Sequence, residues 1–254
     1  MPLPPDHNHY AVLNIDAEMP IWAARLQLPL LSAPDAAYPF LLLKEKEQLT
    51  LRWQAHLPPI DLSIDFVHGR LAYRGQQALR KEPLIKAAGL KLNHPLKIID
   101  ATAGLGRDSF ILASAGAEVL MIEQHPLIAA LLTDALNRLR ATQHLSLSLL
   151  EGKAENILQV QTHDADIIYL DPMFPPRQKS ALVKKDMQIL QALMRNQRQD
   201  DLALLDLALD LATKRVIVKR PRYAPPLSPQ IAFQISTPYH RFDVYQPRSQ
   251  KLKF

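Results

Sequence analysis

The most chemically suggestive stretch of the chain is Asp100-Ala101-Thr102-Ala103-Gly104-Leu105-Gly106-Arg107-Asp108. A short apolar run, Lys97 to Asp100, leads into two glycines and then into a helical pattern. Glycines at a strand-to-helix turn let the backbone come close to a ligand. A second acid, Glu123, ends the next apolar run, 19 positions after Gly104. A carboxylate there can accept both ribose hydroxyl hydrogen bonds of a nucleoside cofactor. A dinucleotide site prefers a third glycine where this chain has Ser109, so that a pyrophosphate can rest on the helix N-terminus. S-adenosylmethionine carries no phosphate. Its sulfonium and amino-acid tail suit acids such as Asp100 and Asp108, and it is the cofactor the loop favours over NAD. The plain alternative is a structural turn, with Glu123 a solvated strand end.

A second constellation, Asp171-Pro172-Met173-Phe174-Pro175-Pro176, closes a later apolar run. Ligands of open parallel sheets sit outside the carboxyl ends of the strands. A carboxylate and an aromatic ring held there by prolines suit methylation of an exocyclic amine, whose lone pair is delocalised into its ring. If Asp171 and the Pro172 carbonyl accept the two N–H hydrogens, the lone pair is localised toward the methyl group, and Phe174 can stack on the base. Guanine N2, adenine N6, cytosine N4 and a glutamine amide all meet this requirement. The alternative is a proline-stiffened loop with Phe174 in the core.

Positive charge follows the second motif. Arg177, Lys179, Lys184 and Lys185 come directly after it, and Lys219, Arg220 and Arg222 lie around a later strand. Residues 171–222 hold eleven Lys/Arg and six Asp/Glu, an excess equal to the +5 of the whole chain. These seven basic residues are the candidate RNA contacts, since Lys/Arg contacts to phosphate give sequence-independent affinity. Some of them will be ordinary solvated helix faces.

From residue 95 the pattern alternates strands with helices, the signature of a parallel sheet with crossover helices. Strands are predicted at Lys97–Asp100, Glu118–Glu123, Leu145–Leu150, Asp166–Leu170 and Arg215–Lys219. Helices are predicted at Arg107–Ala115, from Pro126 onward, and around Leu182–Met194 and Leu202–Ala212. Two final strands, Ile231–Ser236 and Arg241–Tyr245, form an antiparallel pair. Glu151 to Glu155 read as a loop beside the adenine. Residues 1–66 read as a small β-rich accessory domain of short strands and turns, with a hairpin across KEKE and a strand burying Ile60, Leu62, Ile64 and Phe66. Residues 67–94 read as a basic connector with a short helix ending near Gly89. The methyltransferase domain is assigned to residues 95–254.

The 254-residue chain is 48% hydrophobic and contains no cysteine, which excludes disulfide frameworks and Cys-based zinc sites. Its histidines are scattered, so no metal is expected. MPLPPDHNHY lacks a basic n-region and apolar core, and no stretch approaches the ~20 apolar residues of a bilayer span. No membrane association is expected, and the cytoplasm is the default location.

DATAGLGRDSF, YLDPMFPPRQKSALVKKDM, LATKRVIVKRPRYAPPL and HRFDVY, in this order, resemble the RsmJ family of ribosomal small-subunit RNA guanine-N2 methyltransferases. The resemblance covers residues 97–245; nothing is carried over to residues 1–66. It implies an α/β, class I (Rossmann-like) fold with a seven-stranded, mostly parallel sheet. It also implies S-adenosylmethionine as cofactor and methyl transfer to a guanine N2 of 16S ribosomal RNA, free or in the 30S subunit. The family's cofactor contacts map onto Arg107 and Asp108, Glu123 and Gln124, Lys153 and Ala154, and Asp171. Two positions depart from the pattern: Met173 replaces the second proline of D/N-P-P-Y/F, and Lys153-Ala154 replaces small hydroxyl residues. The competing readings are methylation of adenine N6 or a protein glutamine amide, a non-catalytic RNA-binding assembly factor, and, disfavoured by Ser109, an NAD-dependent enzyme.

Overall fold

The computed structural model describes residues 9–77, 81–91, 94–161, 165–172, 184–194 and 200–248. In the N-terminal part, β1 (Tyr10–Leu13), β2 (Leu30–Leu31), β3 (Phe40–Glu45), β4 (Gln48–Trp53) and β5 (Ile60–Ser63) form one sheet in the order β2-β1-β3-β4-β5. The expected hairpin is β3–β4, closed by Lys46 and Glu47 at φ of 49° and 61°. Two positive φ values give the turn whose twist matches that of the flanking strands. Ile60, Leu62, Ile64 and Phe66 are all buried, as their alternation predicts.

One element departs from the expectation of strands and turns. Met19–Leu26 is a helix, α1, which buries Met19, Ala23 and Leu26 at helical spacing. Arg25 of this helix lies over the Trp22 ring at 5.2 Å. The basic connector holds a helix beyond the one expected, α2 (Gly69–Gly75), whereas α3 (Pro83–Ala88) ends as expected at Gly89. Gly89 has φ 67° and donates its N–H to the Ile85 carbonyl, a left-handed helix stop.

The remaining elements are β6 (Lys97–Asp100), α4 (Arg107–Ser114), β7 (Glu118–Glu123), α5 (Pro126–Arg140), β8 (Leu147–Glu151), α6 (Ala154–Gln161), β9 (Ile167–Leu170), α7 (Lys185–Met194), α8 (Asp201–Leu211), β10 (Arg215–Pro221), β11 (Phe233–Ser236) and β12 (His240–Tyr245). Their strands build the expected seven-stranded sheet in the order β11-β12-β10-β9-β6-β7-β8. β10, β9, β6, β7 and β8 are parallel, while β12 is antiparallel to both β10 and β11. The segment expected as a loop after β8 continues into α6, whose Ala154 and Leu158, one turn apart, are buried. The helix is short and otherwise mostly polar, which hides its period.

Strand alternation divides the core into two layers. Ile98, Met121, Ile167, Tyr169 and Ile217 face α4, α5 and the N-terminal sheet. Ile99, Ile122, Ile168, Val216 and Val218 face α6 and α8. Val12, Leu42, Leu51 and Phe66 share the first layer with the large sheet, so the two sheets are joined by continuous apolar packing. Phe66 stacks on Phe110 of α4 at 5.2 Å between ring centroids.

Candidate active site

Strand order reverses between β6 and β9: the chain proceeds outward from β6 to β7 and β8 on one side, and from β9 to β10 on the other. A crevice opens at the carboxyl ends of the strands at such a switch point. The last residue of β6 is Asp100, and Asp171 follows β9, so the two sequence motifs meet there. Ala101 N–H donates to the Tyr169 carbonyl at 3.0 Å, and Asp171 N–H donates to Thr102 Oγ1. The cleft above them encloses about 1400 Å³. That exceeds the ~300–1000 Å³ of a typical single-ligand pocket and leaves room for a cofactor and a base together.

At one end of the cleft lies the glycine loop. Gly104 and Gly106 adopt φ of 53° and 67°, the left-handed region. At Gly106 a Cβ would also lie 2.9 Å from Leu132 and Phe66 and 3.1 Å from Met121, so the loop is pressed onto the core where only glycine fits. Glu123 secures the loop from the neighbouring strand. Its Oε2 accepts from Gly104 N–H at 2.9 Å and its Oε1 from His125 N–H at 2.7 Å. Each oxygen still has a lone pair for a hydroxyl donor. Burial pushes Glu123 up to about 7, against these backbone bonds. Asp100, also buried, accepts from Ser109 Oγ and from Thr102 N–H at 3.1 Å, and burial raises it to about 7 as well. Ser109 thus anchors the loop at the place a third glycine would occupy. Gln124 and Ala154 line the cleft; Lys153, predicted alongside Ala154, is exposed and outside its wall.

The other end is built around an ammonium group. Lys219 Nζ on β10 donates to Asp108 Oδ2 at 2.7 Å and to Asp171 Oδ2 at 2.8 Å. The Tyr169 hydroxyl donates to the same Asp108 oxygen at 2.6 Å. Burial alone would raise Asp108, but the Lys219 charge and hydrogen bond, with the Tyr169 hydroxyl, outweigh it and hold the carboxyl below its usual range. Asp171 is raised by burial, opposed by Lys219 and reinforced by the Asp108 charge. Some 37% of its side-chain surface stays open to the cleft. Burial would lower Lys219, yet the two carboxylates carry it above the ordinary lysine range. Arg107 at the mouth pairs with Asp186 of α7. Arg74 makes a bidentate pair with Glu82 in the wall, at 2.7 and 2.6 Å.

The predicted basic contacts separate. Lys184, Lys185 and Arg222 are exposed. Lys219 is not a surface cation; it is the inner partner of the two carboxylates. Arg220 must be corrected more strongly. It is 5% exposed, and its Nε and Nη2 donate to the Pro225 carbonyl at 3.1 and 2.6 Å, so it braces the chain and offers no phosphate contact. The opposed fates of these neighbours follow from strand alternation: Lys219 shares the face of Ile217, toward α4, and Arg220 the face of Val216 and Val218. Phe174, Arg177 and Lys179 lie outside the described residues, and Pro172 lines the cleft. Sequence reading misses Thr102, Tyr169 and the inward role of Lys219. Continuing the period-two pattern through β10 is the signal that could find Lys219. Among the described residues, no three His, Asp or Glu side chains gather to hold a metal ion, and no helix is long and apolar enough to cross a membrane.

This site fits S-adenosylmethionine on its own terms. Glu123 offers paired acceptors at the strand end, Gly104 brings left-handed backbone to the cleft wall with no side chain to fill it, and the carboxylates of Asp100, Asp108 and Asp171 line the cleft, with the Lys219 ammonium already held by two of them. A family model described as "Putative SAM-dependent methyltransferase" matches residues 22–247. The ribosomal RNA small subunit methyltransferase J of Thioalkalivibrio sulfidiphilus is 42% identical over 245 residues, covering 93% of this chain and 95% of its own length. That of Tolumonas auensis is 43% identical, covering 92% and 96%. The crystal structure of a SAM-dependent methyltransferase from Neisseria gonorrhoeae is 31% identical with a TM-score of 0.72, covering 96% of this chain and 99% of that one.

Proposed function

The chain belongs to the ribosomal RNA small subunit methyltransferase J family, and from that premise we propose that it methylates the exocyclic N2 of a guanine in 16S ribosomal RNA. It is an S-adenosylmethionine-dependent methyltransferase with the class I fold. One observation carries the reaction: Asp171 opens into the same cleft as the Gly104–Glu123 cradle, at the switch point of the sheet. When bound, S-adenosylmethionine supplies an electrophilic methyl group whose carbon–sulfur bond breaks as the new carbon–nitrogen bond forms.

The chain's own residues hold the acceptor. Lys219 and the Thr102 hydroxyl fix Asp171, leaving its Oδ1 without a partner among the described residues. That oxygen accepts one N–H of the guanine amine and the Pro172 carbonyl accepts the other, which aims the nitrogen lone pair and draws off the proton released on methylation. Phe174 stacks on the base. Glu123 takes the ribose hydroxyls of the cofactor; Asp100 and Asp108 shape its amino-acid end, with Gly104, Arg107, Gln124 and Ala154 completing the wall and Gly106 setting the loop's turn against the core behind it. Lys184, Lys185 and Arg222, with Arg177 and Lys179, contact phosphates. Residues 1–66 act as an accessory unit that braces the glycine loop through Phe66. Guanine N2 is blocked by its neighbours within a helix, so the target base is unpaired or flipped outward. The setting is the cytoplasm, where small subunits are found.

Nucleoside mass spectrometry after incubation with labelled S-adenosylmethionine and small subunits from cells lacking the gene tests this reading. Label is expected in N2-methylguanosine. Label in N6-methyladenosine, or in protein alone, contradicts it.

A further inference from the structure

We propose that the Thr237–His240 turn and the adjoining end of β10 form a stacking platform for an unpaired nucleotide beside the target base, with Tyr239 as its aromatic face. The inference rests on the RNA substrate proposed above and assigns a second point of contact with it. Tyr239 is 87% exposed, in a turn that is nonetheless firmly held. Thr237 N–H donates to the His240 carbonyl at 2.8 Å, and the Thr237 hydroxyl donates to the same carbonyl at 2.7 Å. His240 N–H returns to Thr237 Oγ1 at 3.0 Å, and Pro238 restricts φ between them.

The turn is also tied to β10. Arg222 N–H donates to the Tyr239 carbonyl at 3.2 Å. Arg241, bidentate on Asp243 at 2.7 and 3.0 Å, donates from Nη1 to the carbonyls of Arg222 at 2.7 Å and Pro221 at 3.1 Å. The backbone under Tyr239 is therefore set before anything binds. A second tyrosine, Tyr223, is 76% exposed on the adjoining segment, with the Arg222 guanidinium 5.4 Å from its ring centroid. Two exposed rings on backbone-linked segments, one with a guanidinium over it, are chemically suited to nucleobases, which stack on aromatic faces, and to their phosphates.

Location selects the nucleotide. Thr237, Pro238, Tyr239 and His240 line the same cleft as Asp171 and Lys219. In the β10–β12 register, Lys219 opposes Phe242 and Pro221 opposes His240. Tyr239, in the turn just before β12, is three residues in sequence from Phe242, the residue opposite Lys219, which puts it within about 10 Å of that position along the chain. A base on Asp171 places its neighbour in the strand within reach of that ring. Because stacking reads no base edge, the platform accepts any base, leaving target choice to the pocket.

The test compares wild type with Tyr239→Ala, Tyr239→Phe and Tyr239→Leu. One readout is methyl transfer to small subunits lacking the modification; a second is binding of a fluorescein-labelled, guanine-containing single-stranded RNA of about twelve nucleotides. Loss of the ring should cost about ten- to a hundredfold in kcat/KM and in RNA affinity, with S-adenosylmethionine affinity unchanged. Tyr239→Phe should match wild type and Tyr239→Leu should not. With the bases flanking the guanine replaced by abasic sites, wild type and Tyr239→Ala should bind equally. Tyr239→Ala within twofold of wild type, Tyr239→Leu as good as Tyr239→Phe, or an undiminished gap on the abasic RNA each overturn the proposal; the last points to a protein contact instead. Binding is read without turnover, so an enzyme that methylates something other than guanine N2 fails the functional reading, while the platform stands or falls on the binding data alone.

Discussion

At the glycine-loop end of the cleft, Asp100 and Glu123 are buried with only hydroxyl and backbone donors for company, and both rise to about 7. At the other end, Asp108 and Asp171 share the Lys219 ammonium at 2.7 and 2.8 Å. Buried carboxylates of one protein are thus handled in two ways. The paired end is charged and set before substrate arrives, as electrostatic preorganisation requires. The unpaired end carries carboxylates whose ionised form gains most from a cationic cofactor with hydroxyl donors, so binding there completes an arrangement the free protein leaves short of partners. The paired end suits chemistry and the unpaired end suits cofactor capture.

Four experiments can break this contrast, beginning with the largest effect. Asp171→Ala should lower methyl transfer by at least about 10²–10³-fold while changing S-adenosylmethionine affinity by only a few-fold in calorimetry. Equal losses in both would merge the two ends into one. Lys219→Met should leave Asp108 and Asp171 in mutual repulsion. Urea unfolding should show a loss of about 3 kcal/mol, the scale for breaking a buried pair, and adding Asp108→Asn should recover part of it. A variant as stable as wild type would mean the ammonium contributes nothing net.

Glu123→Ala addresses the capture end. It should weaken S-adenosylmethionine binding by about 1.5–3 kcal/mol, the scale of hydrogen bonds to a charged group, with kcat at saturating cofactor nearly retained. A fall in kcat with unchanged affinity would assign Glu123 to the chemistry instead. The smallest effect is in pH. Glu123 rises from an ordinary 4.5, and Asp100 from 3.8, to about 7. The folded protein therefore holds these protons longer than the unfolded chain, and their contribution, full below about pH 4, is lost as pH rises through 7. His125 acts oppositely: burial lowers it from 6.5 to about 4, so its contribution is present above 6.5 and lost as pH falls through 4. In cofactor-free thermal melts, Glu123→Gln should lose less stability than wild type between pH 5.5 and 7.5. Parallel curves would contradict the raised carboxyl.

Much of this is legible in the order of residues. Alternating apolar runs locate the strands of the large sheet to within a residue or two, because buried parallel strands are continuous apolar segments bounded by glycine and proline. Gly104, Gly106, Glu123 and Asp171 can be singled out because a glycine turn and strand-terminal acids are local features. The N-terminal hairpin is visible for the same reason, whereas α1 and α6 are not, being single short helices whose buried positions are few. What a one-dimensional reading cannot supply is the partner of each charge. Lys219 and Arg220 are adjacent in a basic run and both read as RNA contacts, yet one turns inward to two carboxylates and the other is buried against Pro225. Asp108 and Asp100 both read as cofactor acids, yet one is paired with lysine and the other is not. Sequence determines which residues end strands and where the backbone must turn, because those depend on neighbours along the chain. Only the packing of β10 beside β9, which brings Tyr169 and Lys219 to Asp108 at the start of α4, decides which charges meet, because pairing and burial depend on distances between residues as far apart as 108 and 219.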